Sequence, residues 1–225
     1  MNTVHQLSSA IDTKQPLPIQ FIADAAGYSM ASVAQALDSM ETSFLQYAPW
    51  KDSYPYQPVV SFSIAYSQSA IYIKFNVKER YVRAAATEIN GPVWQDSCVE
   101  FFISFDGKYY YNFEFNCTGT ALVGYGSSKT ERRLLPAPLI QTIGTYCLIQ
   151  NKSGDENKYW ELTLRIPMQV FLHSSIDNLK GRQCLANFYK CGDLLPEPHF
   201  ICWKNVDSAE PNFHLLHCFG ILDFK

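Results

Sequence analysis

Two glutamates offer the first chemistry. Glu100 and Glu114 stand in two alternating segments either side of Asp106-Gly107, and a symmetric fold-back about that turn sets the two acids opposite each other on one face. A pair of carboxylates flanking a glycosidic bond can hydrolyse it, one as acid and the other as base or nucleophile, and Asp96 is a third candidate. Asn112 shares the face with the two glutamates. A sheet face with two acids and an amide is more often a solvated surface or a polar binding site than a catalytic one.

Other chemistry is absent. The chain has no Gly-x-Ser-x-Gly elbow, no phosphate loop and no His-Glu-x-x-His. Gly124-Tyr125-Gly126 runs into Ser-Ser-Lys-Thr rather than a third glycine in register, so the dinucleotide fingerprint fails. The five histidines do not cluster. His214 and His217 lie three apart without a matching cysteine or carboxylate, and read as structural. None of Met30, Met40 and Met168 sits in a strand beside a histidine, which argues against a haem ligated by Met and His.

The seven cysteines are odd in number and form no Cys-x-x-Cys pair. We therefore expect no disulfide network, with most thiols at least partly buried as small hydrophobes. Seven thiols, and a start (Met-Asn-Thr-Val-His-Gln) without the pattern of an export signal, suggest a reducing, cytoplasmic setting. A secreted or periplasmic protein remains the alternative if a signal was removed. No stretch reaches the ~18 apolar residues of a membrane helix. A net charge of −3 with scattered Lys and Arg argues against a general nucleic-acid partner.

The elements that must position these residues are strands. Period-two alternation runs through Val60, Phe62, Ile64 and Tyr66, then Ile71, Ile73, Phe75 and Val77. It recurs in Val99, Phe101, Ile103 and Phe105, then Tyr109, Tyr111, Phe113 and Phe115, with Asp-Gly between them for a tight turn. Later strands are expected over 139–150, 159–166, 184–189, 199–206 and 219–224. A helix is expected over 29–46, with Ser29 as N-cap and Pro49 beyond its end, and a shorter one after Pro167. The many short strands imply one all-β sandwich or barrel domain over 1–225, with a helical arm (1–49) before the sheets (50–225). Aromatic residues are 15% of the chain, fourteen Tyr and fifteen Phe. They suit pleated packing, and an exposed one also makes an apolar platform for a sugar ring. Trp94, between the turn-like Asn90-Gly91-Pro92 and a strand, is expected near a loop rim. Trp160, alternating with Leu162, Leu164 and Ile166, is expected in the core.

Three stretches together carry a resemblance: Glu88-Ile-Asn-Gly-Pro-Val-Trp-Gln-Asp-Ser-Cys-Val-Glu-Phe-Phe-Ile103; Tyr109-Tyr-Tyr-Asn-Phe-Glu-Phe-Asn-Cys-Thr-Gly-Thr120; and Asn187-Phe-Tyr-Lys-Cys-Gly-Asp193, continuing through Pro198-His-Phe-Ile-Cys-Trp203 to Pro211-Asn-Phe-His214 and Phe219-Gly220. In content and order they resemble the family 9-like carbohydrate-binding modules, relatives of the DOMON domains, over roughly 45–225. The Trp-x-Asp-Ser-x-Val-Glu run is the most specific part. The resemblance implies an immunoglobulin-like or DOMON-like antiparallel β-sandwich that binds a mono- or oligosaccharide without catalysis, alone or beside a carbohydrate-active enzyme. It implies a terminal sugar clamped between Trp94 and Trp203, with Glu100 taking hydroxyl hydrogen bonds and Asn112 and Asn116 as further polar candidates. Around 215–218 the family pattern would read Arg-Pro-Glu-Phe, whereas this chain reads Leu-Leu-His-Cys. Calcium sites of characterised relatives find no residue-by-residue match, so no metal or cofactor is assigned. The rival readings are a carbohydrate-active enzyme or accessory subunit using Glu100 and Glu114, and an interaction domain without a small ligand.

Overall fold

The computed structural model describes residues 15–24 and 27–225; the N-terminal hexapeptide and the start of the arm lie outside the described residues. The elements in chain order are β1 (Leu17–Phe21), α1 (Met30–Asp38), β2 (Ser43–Phe44), β3 (Val59–Tyr66), β4 (Ala70–Glu79), β5 (Cys98–Ser104), β6 (Tyr110–Asn116), β7 (Ala121–Gly126), β8 (Arg133–Leu134), α2 (Ala137–Ile140), β9 (Gly144–Asn151), β10 (Lys158–Pro167), β11 (Gln183–Cys191), β12 (Phe200–Cys202) and β13 (Gly220–Phe224). One layer runs β8-β7-β6-β5-β11-β13, with β12 against the end of β11, and the other runs β3-β4-β10-β9, with β2 on β3. The two layers form a β-sandwich.

The layers are joined by β1, which corrects two expectations. Leu17–Ile19 pair in parallel with Leu222–Phe224 of the first layer, and Gln20 and Phe21 pair in parallel with Ala65 and Tyr66 of the second. The sheet is therefore curled and mixed rather than purely antiparallel, and the arm contributes a strand as well as a helix. Only Ile19 of this strand is buried, so alternation was too weak to reveal it. The helix begins where expected, with Ser32 N–H donating to Ser29 Oγ at 3.1 Å. It stops at Asp38, well before Pro49. Ser39 Oγ bonds back to the Ala36 carbonyl, and Ser and Thr side chains in the segment that follows compete with helical hydrogen bonding. Ser43 and Phe44 instead pair with Phe62 and Ser61. After Pro167 there is only a short 3₁₀ turn, Met168–Val170. The Asp106-Gly107 hairpin is looser than a two-residue turn, although Gly107 does take a φ of +70°.

Alternation sends Val99, Phe101 and Ile103 of β5, Tyr111, Phe113 and Phe115 of β6, and Phe188 of β11 between the layers, where they meet Phe62, Phe75 and Trp160. An ion pair is buried among them. Lys190 Nζ lies 2.8 Å from Glu79 Oε2, both side chains fully buried, and Trp160 Nε1–H donates to Glu79 Oε1 at 2.6 Å. Lys190 also donates to Nε2 of buried His199 at 2.7 Å, while His199 Nδ1–H donates to the Glu197 carbonyl at 2.9 Å. A protonated imidazole has no place here. Burial first, and then the Lys190 ammonium, hold the His199 pKa down at about 2.

A pH effect follows. The unfolded His199 titrates near 6.5 and the folded one far below, so between those values the unfolded chain binds the extra proton. The stability His199 contributes is complete above about pH 6.5 and falls as pH drops, by about 1.4 kcal/mol per unit. Urea denaturation at successive pH values from 7 to 4 should show a steeper acid loss for the native protein than for His199→Gln.

Candidate functional site

The opposite face of the first layer carries Cys98, Glu100 and Phe102 of β5, Tyr110, Asn112, Glu114 and Asn116 of β6, and Tyr189 and Cys191 of β11. Glu100 stands directly opposite Glu114 in the ladder, as the fold-back placed it. Loops roof this face: Trp50, Val93, Val206 and Phe213 close over Phe102, Tyr110 and Tyr189 to form a second apolar cluster. Under that roof Glu100 is 4% exposed and Glu114 3%. The face on which the strand pattern sets the two acids is thus roofed rather than a solvated surface, and Glu100 is buried. Its polar partner is Cys191, whose thiol donates to Oε1 at 3.1 Å.

Where the roof opens, a cavity of about 150 Å³ reaches down to the two glutamates. Its apolar wall is Trp94, Phe200, Phe213 and Pro211; its polar wall is Glu100, Glu114, Asp193, Lys129, Arg132, Asn212 and His214, with Cys191 beside Glu100. Trp94 lies in a 3₁₀ turn, Val93–Gln95, directly after Asn90, whose φ of +63° reverses the chain. Asn tolerates that conformation better than most residues. The loop after β11 holds the turn, because Asp193 N–H and Leu194 N–H donate to the Trp94 and Gln95 carbonyls, each at 3.2 Å. Arg132, from the loop between β7 and β8, places Nη1 2.8 Å from Glu114 Oε1 and 3.4 Å from His214 Nε2. His214 Nδ1 is 2.9 Å from the Tyr110 hydroxyl, and Asn212 Oδ1 accepts from His214 N–H at 3.0 Å. Thus strand residues make the floor and loop residues the walls.

The floor is crowded with acid. Burial, and then the neighbouring Glu114, push the Glu100 carboxyl well above the ordinary range, with the Cys191 hydrogen bond opposing. Burial raises Glu114 too, and Arg132 pulls it back. Asp193 is pushed up to about 6 by burial, against the pull of Lys129. His214 goes the other way, held down at about 3 by burial and by Arg132.

The structure brings Trp94 and Glu100 together, and with them Glu114, but not the other sequence candidates. Trp203 is the main correction. Past β12, alternation puts Phe200 and Cys202 on the roofed side, while Ile201 and Trp203 turn between the layers. Trp203 is 9% exposed, edge-on to Phe62 and Phe188 at centroid distances of 6.1 and 5.7 Å. It therefore does not face Trp94 across a slot. Asn112 is buried beneath Glu114, donating to Oε1 at 2.9 Å; a Cβ on Gly124 would come within 2.6 Å of its Oδ1. Asn116 ties a turn together, accepting from Thr118 N–H and Thr120 N–H and donating to Asp96 Oδ2 at 3.0 Å. Asp96 is fully buried and takes the Ala85 and Ala86 N–H groups, both at 2.9 Å, besides Arg83. These hydrogen bonds outweigh its burial and hold the carboxyl below its usual range. Neither Asn112, Asn116 nor Asp96 lines the cavity.

Sequence reasoning missed Arg132, Lys129, Asp193, Phe200, Phe213, Asn212 and Pro211, and read His214 as structural. Pro211-Asn-Phe-His and Cys-Gly-Asp193 stood in the recognised stretches and were the available signal. The loop bearing Lys129 and Arg132 gave none.

Comparison with known proteins agrees with this architecture. Carbohydrate-binding family 9 matches residues 31–224. A "putative carbohydrate-binding protein" from Bacteroides uniformis ATCC 8492 is similar over 94% of this chain and 99% of its own, with 36% identity and a TM-score of 0.87. A family 9 module from Caldicellulosiruptor kristjanssonii, solved with cellotriose, shares the fold at a TM-score of 0.62 and 13% identity, over 92% of this chain and 93% of that one. The same organism's family 9 module with glucose gives 0.58 and 13%, over 94% and 96%. No curated protein matches the chain. With the family pattern spanning almost the whole sandwich, the chain belongs to carbohydrate-binding family 9.

Proposed function

We propose that the roofed cavity binds a single sugar ring at the end of a glycan, and that the protein does so without catalysis. One observation carries the reading: an indole and two phenyl rings border the same small cavity as buried carboxylates and a guanidinium. Pyranoses need this combination, apolar surface for the axial C–H groups and charged acceptors and donors for the hydroxyls. Trp94 is the platform, with Phe200 and Phe213 in place of a second tryptophan. Glu100 and Asp193 accept hydroxyl hydrogen bonds, and Arg132 donates. The cavity is smaller than the ~300–1,000 Å³ of sites for drug-sized ligands, which suits one ring rather than a chain interior. Glucose and cellotriose, bound by the Caldicellulosiruptor kristjanssonii modules, are the first ligands to try.

Hydrolysis is disfavoured by the same geometry. Glu114 is engaged by both Arg132 and Asn112, which leaves it no free oxygen lone pair at Oε1 for acid–base work.

Titration calorimetry with glucose, cellotriose and a wider glycan panel should find affinities on the order of micromolar to millimolar, the return a few-atom ligand can give. Trp94→Ala should weaken binding about tenfold or more, ~1.4 kcal/mol, and lower the thermal midpoint far less than truncation of a fully enclosed tryptophan, because Trp94 is only partly buried against the roof cluster. Unaltered affinity in that variant would remove the proposed platform. Turnover of any glycan that disappears in Glu100→Gln would replace binding with catalysis.

A further inference from the structure

We propose that Cys98, Glu100 and Cys191 form a binding site for a divalent metal ion of the zinc class at the floor of the cavity. The proposal stands on the geometry of this cluster and does not depend on the sugar reading.

The three residues come from two adjacent strands. Cys98 and Cys191 are direct partners in the β5–β11 ladder, and Glu100 follows Cys98 by two residues, so all three project from the same face. One ligand atom from each, two Sγ and a carboxylate oxygen, lie within 4.8 Å of one another, with Cys191 Sγ and Glu100 Oε1 at 3.1 Å. Around a tetrahedral ion with Zn–S of ~2.3 Å and Zn–O of ~2.1 Å, neighbouring ligand atoms stand roughly 3.6–3.8 Å apart. Side-chain adjustments of less than about 1 Å bring this set to that spacing. Two thiolates with one carboxylate select a borderline-soft ion over magnesium or calcium.

Three further features support the assignment. Glu100 and Cys191 border the cavity, which supplies an access path and leaves a fourth coordination position open to water or a hydroxyl. Glu100, Glu114 and Asp193 border one cavity; a dication there relieves the repulsion between their carboxylates. Arg132 is already engaged by Glu114. On binding, each thiol releases its proton to solvent and forms a sulfur–metal bond, and the Cys191–Glu100 hydrogen bond is exchanged for two bonds to the ion.

Cobalt(II) is the probe. The protein, stripped with a chelator, is titrated with Co²⁺ in the absence of sugar. The expected result is saturation at one equivalent with thiolate-to-cobalt charge-transfer absorption and tetrahedral visible bands, both displaced by Zn²⁺. Cys98→Ser and Cys191→Ser should lose the charge-transfer absorption or weaken Co²⁺ binding by more than about tenfold, the scale set by losing even an outer partner. Cys117→Ser, whose thiol lies in the inter-layer core, should keep both. The unaltered protein provides the measurement that does not depend on a variant folding. Absence of charge transfer in it overturns the proposal, as does the same absorption persisting in folded Cys98→Ser.

Discussion

Trp203→Ala is expected to lower the unfolding free energy by about 3–5 kcal/mol, the cost of truncating a core aromatic. Its indole fills the space between the layers against Phe62 and Phe188, and Lys204 Nζ covers the ring at 4.4 Å. Across from it β13 passes so closely that a Cβ on Gly220 would meet Trp203 Cζ3 at 2.8 Å. The neighbouring backbone cannot easily collapse into the gap, which places the cost toward the upper part of that range. For a chain of this length the midpoint should fall on the order of 10 °C. Denaturant melts measure the loss, and calorimetry on the folded variant in the cold should return a sugar affinity close to that of the unaltered protein. The opposite pattern, normal stability with lost binding, would make Trp203 a platform after all. Paired with Trp94→Ala, the experiment separates the two tryptophans by role.

Lys190→Met should cost a similar amount, about 3–5 kcal/mol, for a different reason. The pair with Glu79 is fully enclosed. Removing the ammonium leaves a buried carboxylate with the Trp160 indole N–H and, at 3.6 Å, the imidazole of His199, but no cation in place of Lys190, and an uncompensated buried charge is far more costly than the pair is beneficial. The double variant Lys190→Met with Glu79→Gln should recover much of the loss, because both charges then leave the core together. Urea melts of the two single variants and the double give the coupling directly. A near-neutral Lys190→Met, or a double variant no better than the single one, would show that Glu79 does not depend on Lys190 for its compensation.

Much of the molecule could be read from the residues because a strand writes its own pattern. The alternation of Val99, Glu100, Phe101 and Phe102 across from Phe113, Glu114 and Phe115 depends only on each residue's preference for core or non-core, and it foretold the hairpin, the register and the pairing of the two acids. The Ser29 cap and the buried Trp160 were legible for the same local reason. Local pattern failed where several residues of similar character compete. The apolar spacing of Met40, Phe44 and Leu45 predicts a helix longer than α1, but the sheet claims that segment through the pairing of Ser43 and Phe44 with β3. The pattern predicts one strand over 199–206, whereas the ladder with β11 covers Phe200–Cys202 and is extended only by Trp203 N–H donating to the Phe188 carbonyl.

The site divides along the same line. That this chain is a β-sandwich with a polar strip of Glu100, Asn112 and Glu114 on one sheet face was determined by the sequence itself, through side-chain period and turn chemistry. Tertiary structure decided whether that strip is open or roofed, which tryptophan faces it, and which distant groups reach it. Arg132, Asp193, Phe213 and His214 meet Glu100 and Glu114 only because loops from three places in the chain close over one sheet face. Cys98 and Cys191 meet only because β5 and β11 are ladder neighbours. Contacts of that kind depend on loop paths and strand order, which are settled by the packing of the whole chain and leave no periodic trace in any one segment.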